Sequence, residues 1–163
     1  MIYVETKVYA GRIKNKSMLM NSSSGGAFTS LSEYFLENND AVIASIYNYE
    51  IHTTEFQLIL DKNQREEAKG SKYMQSKPGK VFEKSYEWLM ENPEKKLLFV
   101  GMGCQAEGFR KFSELKGIRD RVYIVDIICH GSPSPKLWRE YAKRLEKKNR
   151  GKITYLTFKD KRN

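Results

Sequence analysis

Short apolar runs and helix-spaced apolar positions alternate from one end of the chain to the other. Runs rich in β-branched, leucine and aromatic residues at 4–10, 41–47, 54–60, 96–100, 122–128 and 153–158 predict strands, because such side chains pack well on a pleated surface. Between them, Phe28, Leu31, Phe35 and Leu36, then Val81, Tyr86 and Leu89, then Leu137, Tyr141 and Leu145 fall at helical spacing and read as core-facing stripes. This alternation predicts an α/β fold: a mixed, largely parallel sheet with crossover helices on both faces. The run at 122–128, interrupted only by Asp126, reads as a central strand covered on both sides. Asn48, Tyr49 and Glu50 could turn a hairpin and give the sheet one antiparallel edge. No repeat, and no linker rich in proline, glycine or serine, divides the chain, so residues 1–163 read as one domain.

Composition narrows the class. With 163 residues, 40% of them hydrophobic, a core of useful size forms without disulfides. Cys104 and Cys129 are the two cysteines, and the first residues show no signal-peptide pattern, which together read as a cytoplasmic protein with reduced thiols. No apolar run approaches the roughly 18 residues of a membrane span. The net charge of +9 is concentrated late, with eight basic residues in 136–152 against Glu140 and Glu146. Such a run reads first as the solvated side of an amphipathic helix, and also as a face that could attract an anionic coenzyme, an acidic subunit or nucleic acid.

Three junctions carry candidate chemistry. Ser22, Ser23, Ser24, Gly25 and Gly26 lead into the first strong helix pattern, where serines can cap, glycines let a ligand approach the backbone, and the helix start favours a phosphate. An ordinary capped turn would look the same, and the loop matches neither the dinucleotide fingerprint nor the Walker A loop. Gly101, Met102, Gly103, Cys104 and Gln105 join a strand to a helix, and the dipole at that helix start favours the Cys104 thiolate. Cys129, His130 and Gly131 follow the 122–128 run directly, with Ser134 as N-cap and Pro135 in the first turn of the basic helix. Both cysteines thus stand at carboxyl ends of strands, where open α/β sheets gather ligands. Cys104 and His130 could form a nucleophile and base, with Asp126 orienting them, whereas adjacent Cys129 and His130 point apart. The alternative is half of an iron-sulfur ligand set, since a cluster normally takes four thiolates. Gly70, Ser71, Lys72, Tyr73, Met74, Gln75 and Ser76 add a polar loop whose lysine can meet a phosphate and whose tyrosine can stack on a ring.

Taken together, Ser22 to Gly26, Gly70 to Ser76, Gly101 to Gln105 and the string from Val125 through Cys129, His130 and Gly131 to Pro135 resemble the coenzyme F(420) hydrogenase/dehydrogenase beta-subunit family, as do Phe158 to Arg162. The resemblance implies an electron-transfer oxidoreductase subunit that binds FAD and an iron-sulfur cluster and, in some members, exchanges hydride with the deazaflavin coenzyme. It implies flavin-binding loops at Ser22, Ser23, Ser24, Gly25, Gly26, Gly70, Ser71, Lys72, Tyr73, Gln75 and Ser76, with Gln105, His130 and Gly131 beside them, and cluster ligation by Cys104 and Cys129. It also implies other redox subunits or ferredoxin-like domains as partners and makes nucleic acid the lesser expectation. The sequence departs from the family pattern at Met102 and Gly103, where threonine and proline are usual. Two thiolates leave the cluster's ligand set incomplete, so the chain is expected to be part of a larger domain, to take ligands from another subunit, or to be a remnant that has lost the cluster. A non-enzymatic basic module that uses the helix after Pro135 is the contrasting expectation.

Overall fold

The computed structural model describes residues 6–158. Among them, β1 (Ala41–Asn48), β2 (Thr53–Ile59), β3 (Leu97–Met102) and β4 (Val122–Ile127) form one sheet in the order β2-β1-β3-β4. β1 pairs with β3, and β3 with β4, in parallel, so that Val42 faces Leu98 and Leu98 faces Tyr123. β2 returns antiparallel to β1 through the hairpin that Asn48 predicts. The Asn48 side-chain carbonyl accepts from the amides of Glu50 and Ile51 at 3.0 and 3.3 Å, which closes the turn locally. The sheet is therefore mixed and mostly parallel.

Among the described residues, six α-helices accompany it: α1 (Lys16–Met20), α2 (Ala27–Glu37), α3 (Lys62–Ala68), α4 (Val81–Glu91), α5 (Gly103–Leu115) and α6 (Pro135–Asn149). The two-residue period of the central strands distributes the core between two faces. Val42, Ala44, Leu98 and Val100 meet Phe35 and Leu36 of α2 and Ala68 of α3. Ile43, Leu97 and Phe99 meet Val81 and Leu89 of α4 and Ala106 and Phe109 of α5. On that second face the Phe109 ring lies 4.8 Å from Phe99 and 4.9 Å from Phe82, contacts worth about 0.5–1.5 kcal/mol each beyond area burial. On the first face the buried Arg65 guanidinium lies 2.7 Å from the Glu33 carboxylate and donates to the Thr29 carbonyl, locking α3 to α2. The hydrogen bond from Lys62 is the foremost reason that the Glu33 carboxyl sits below its ordinary range.

Four expectations are corrected. The 122–128 run is the sheet edge, because β1 and β3 occupy the centre, and β4 leaves Tyr123 and Ile127 about half exposed (48% and 49%). Residues 6–10 form no strand, and Val8 and Tyr9 are largely exposed among the described residues, while residues 4–5 lie outside them. Residues 153–158 run without a ladder, and the amide of Ile153 bonds the Glu146 carboxylate at 3.0 Å instead of a strand. Finally, the inward row of α6 is shifted by one position: Leu137 and Tyr141 are exposed, whereas Trp138, the buried Ala142 and Glu146 face the fold.

The contact beneath α6 is polar. The Trp138 indole N–H donates to the Tyr47 hydroxyl at 3.0 Å, and that hydroxyl lies 3.0 Å from His52 Nδ1. His52 Nε2 is 3.4 Å from a Glu146 carboxylate oxygen. Because indole only donates, every group is satisfied when Tyr47 gives its proton to Nδ1 and His52 keeps its own on Nε2 for Glu146. Burial raises the Tyr47 phenol above its ordinary value, which keeps it a donor.

Candidate functional site

A cleft of about 580 Å³ opens where β1, β3 and β4 end, on the side of the sheet from which their carboxyl termini emerge. Its floor is apolar, built by Phe28, Ala44, Phe56, Met74, Val100 and Ile127. Its rim is polar, with Ser23, Ser45, Ser71, Ser76, Gln105, His130 and Ser132, together with Lys69 and Lys72. Among the described residues, no aspartate or glutamate lines it. An apolar floor with a few polar groups and no carboxylate suits a planar ligand that carries negative charge.

The loop before α2 is shaped by the chain's own residues 11–13. A Cβ on Gly25 would come within 2.7 Å of the Gly11 carbonyl, and one on Gly26, where φ is +80°, would strike the Ile13 side chain. The Ile13 amide bonds the Gly25 carbonyl at 2.9 Å, so this return strand of coil fills the space that the glycines leave. Gly26 is the N-cap of α2 and needs the left-handed conformation there. Ser22 is buried, donates to the Met18 carbonyl at 2.6 Å and shares a bond with the Thr29 hydroxyl at 2.7 Å. Of the five residues in this loop, Ser23 and Gly26 line the cleft, and Ser22, Ser24 and Gly25 do not.

The loop after α3 supplies the opposite wall through Gly70, Ser71, Lys72, Tyr73, Met74 and Ser76, while Gln75 is exposed outside the cleft. The Lys72 ammonium donates to the carbonyls of Ala68 and Lys69 at 2.9 Å and of Gly70 at 3.3 Å, closing the open end of α3. Burial pulls its pKa down to about 8. Ser76 and Ser45 share a hydroxyl bond of 2.6 Å, and Gln105 donates to the Ser76 carbonyl at 2.8 Å, which ties the loop to β1 and to the start of α5.

At the ends of β3 and β4 the two thiols part company. Cys129 lines the cleft; its thiol donates to the Met102 sulfur at 3.4 Å and accepts from the Gly131 amide at 3.2 Å. Cys104 is exposed in the first turn of α5 and does not line the cleft. A Cβ on Gly103 would lie 3.3 Å from the Asp126 carboxylate, which places Asp126 at the start of α5. His130, Gly131 and Ser132 complete the rim. Among the described residues, no three histidine, cysteine or acidic side chains gather as a metal site. Ser45 and Phe56 join the cleft without having been foreseen. Ser45 alone left a trace, as a polar residue inside the apolar run Ala41 to Tyr47.

Residues 8–83 match the family model described as coenzyme F(420) hydrogenase/dehydrogenase beta subunit N-term, and residues 94–163 match its C-terminus counterpart. The chain belongs to this family. A similar solved structure is a chain of the F(420)-reducing nickel-iron hydrogenase complex from Methanosarcina barkeri, in a xenon derivative. The two share 21% identity with a TM-score of 0.64, over 81% of this chain and 47% of that one. The likeness is one of fold, and the present chain spans about half the length of that relative. No curated protein matches the sequence. Among the described residues of this family member, no helix is long and apolar enough to cross a membrane.

Proposed function

We propose that the chain binds FAD in the cleft and serves as an electron-transfer oxidoreductase subunit, with Cys104 and Cys129 offering two thiolates to an iron-sulfur cluster. One observation carries the flavin reading: loops around Ser23, Tyr73, Gln105 and His130, far apart in sequence, converge on one cleft that no carboxylate among the described residues lines. A bound flavin supplies the exchange between two-electron hydride chemistry and one-electron transfer. The chain's residues bind and orient it. The start of α2 with Ser23, and the positive charge of Lys72, favour a pyrophosphate, while Phe28, Phe56 and Ile127 keep water from an isoalloxazine ring. Tyr73 offers a ring face at the rim.

The thiols fit half of a cluster site. The Gly131 amide donates to the Cys129 sulfur, and Cys104 is exposed in the first turn of α5, so both sulfurs are accessible to a cluster. Four ligands are the norm, so the remaining ones would come from outside the described residues or from a partner. Other redox subunits or ferredoxin-like domains are therefore the proposed partners, the deazaflavin coenzyme a proposed hydride partner, and the cytoplasm the proposed setting.

Anaerobic titration with FAD, read by flavin fluorescence and by visible bands retained on desalting, tests the cleft. Ser71→Glu puts a carboxylate on the rim without touching the core and should weaken binding about tenfold, or ~1.4 kcal/mol. Absence of retained flavin in the wild type, or equal affinity in a folded Ser71→Glu variant, would refute the reading.

A further inference from the structure

We propose that residues 151–158 form a strap that fixes the position of Tyr73 and with it the mouth of the cleft, and that Glu146 and Phe158 are its positioning residues. The functional consequence rests on the cofactor reading above, whereas the strap itself stands on geometry.

The first anchor is Glu146. Its carboxylate lies on the inward row of α6, with the side chain 10% exposed. It accepts from the Ile153 amide at 3.0 Å and lies 3.1 Å from the Lys152 ammonium and 3.4 Å from His52 Nε2. The Ile153 amide is the foremost reason that this carboxyl is pulled down to about 2, against the opposing effect of burial. Glu146 therefore stays ionised at working pH and holds the beginning of the strap to the underside of α6. Lys152, 82% exposed, adds a solvent-screened surface pair.

The second anchor is Phe158. Its ring centroid is 5.0 Å from that of Trp138 and 5.6 Å from that of Tyr73, edge-on to the latter. Trp138 is itself held by its bond to Tyr47. The strap thus starts and ends on α6, and its far end presses on the one aromatic ring that the loop after α3 gives to the cleft rim. Lys72 is fixed to the end of α3 and Met74 is buried, but the Tyr73 side chain is half exposed between them. Phe158 supplies the side support that this ring otherwise lacks in its own loop.

Hydrogen exchange of the ligand-free chain, followed residue by residue, reads the strap without flavin. Phe158→Ala should speed exchange at the Tyr73 and Met74 amides at least about tenfold while β1 and β3 keep their wild-type rates. Glu146→Gln should act in the same direction and Lys152→Ala should leave the loop unchanged. Wild-type exchange at 73–74 in Phe158→Ala would overturn the proposal; should Glu146→Gln unfold, Phe158→Ala alone decides. FAD titration then separates the two readings. Faster exchange together with at least about fivefold weaker FAD binding in Phe158→Ala supports the strap as a positioning device, and faster exchange with unchanged FAD affinity overturns that role. If the wild type binds no FAD, faster exchange still upholds the strap and the cofactor reading alone falls.

Discussion

Replacing Lys72 with methionine should abolish a pH dependence of FAD binding that the wild type shows between pH 7 and 9. Burial holds the Lys72 amine near pKa 8, so it is about 90% charged at pH 7 and about 10% charged at pH 9. All three of its N–H donors are taken by carbonyls, and its action on a ligand is therefore through charge. An anion about 6 Å away, at an effective dielectric of ~20, favours the ammonium by ~3 kcal/mol, or about two pH units. Binding then raises the pKa from about 8 to about 10, and linkage makes affinity roughly tenfold weaker at pH 9 than at pH 7. Isothermal titration at both pH values, in buffers of unlike ionisation enthalpy, reads the slope and the accompanying proton uptake. Serine replacements of Cys104 and Cys129 remove the thiols as competing titrations. Equal wild-type affinity at the two pH values, or the same slope in Lys72→Met, would refute the placement of negative charge near this lysine. The same shift acts on folding in one direction. An unfolded lysine keeps its proton to about 10.4, so between about 8 and 10.4 the unfolded state binds more protons, and the penalty of the buried ammonium fades as pH rises.

Two further outcomes follow from packing and exposure. Gly101→Ala should destabilise by about 1–3 kcal/mol in urea unfolding, since its Cβ would come within 2.7 Å of the Phe99 ring and 3.1 Å of the Phe56 ring, both buried; wild-type stability would show that these rings yield freely. Both thiols are exposed and unpaired, so a disulfide reagent should titrate two equivalents per native chain, with Cys129 the more dependent on its Met102 and Gly131 contacts, and a count of one would contradict the geometry.

The sequence was readable wherever a strand's own residues decide its place. β1, β2 and β3 fall within two residues of their apolar runs, and the cysteines stand at strand ends as their spacing indicates. What escaped depends on partners distant in the chain. The apolar run of β4 states what can be buried and not whether a strand lies beyond it, and here the described residues place none there. Residues 153–158 alternate like a strand, yet a strand exists only through a neighbour, and their amide contact is a side-chain carboxylate. The row of α6 slipped by one position because its anchors are a tryptophan and a glutamate, which hydrophobic periodicity discounts. α3 carries little apolar signal, and its hold on the fold is the buried Arg65 as much as Ala68. At the cleft, four loops of distinctive composition were visible, but the packing of residues 11–13 into the space above Gly25 and Gly26 could be seen only in three dimensions.

The two borders of the sheet are unlike. β2 is partly engaged along its outside, where Lys77 bridges to Glu55 and exchanges backbone bonds with Thr54 and Phe56. Among the described residues no strand pairs with the outside of β4, where Tyr123 and Ile127 are half exposed. Endless strand-by-strand stacking requires two adhesive borders on each molecule, and among the described residues β4 is the freer of the two. Self-association by strand pairing is therefore expected to run β4 against β4 and to close on itself after two copies, along the same border at which a further strand could extend the sheet.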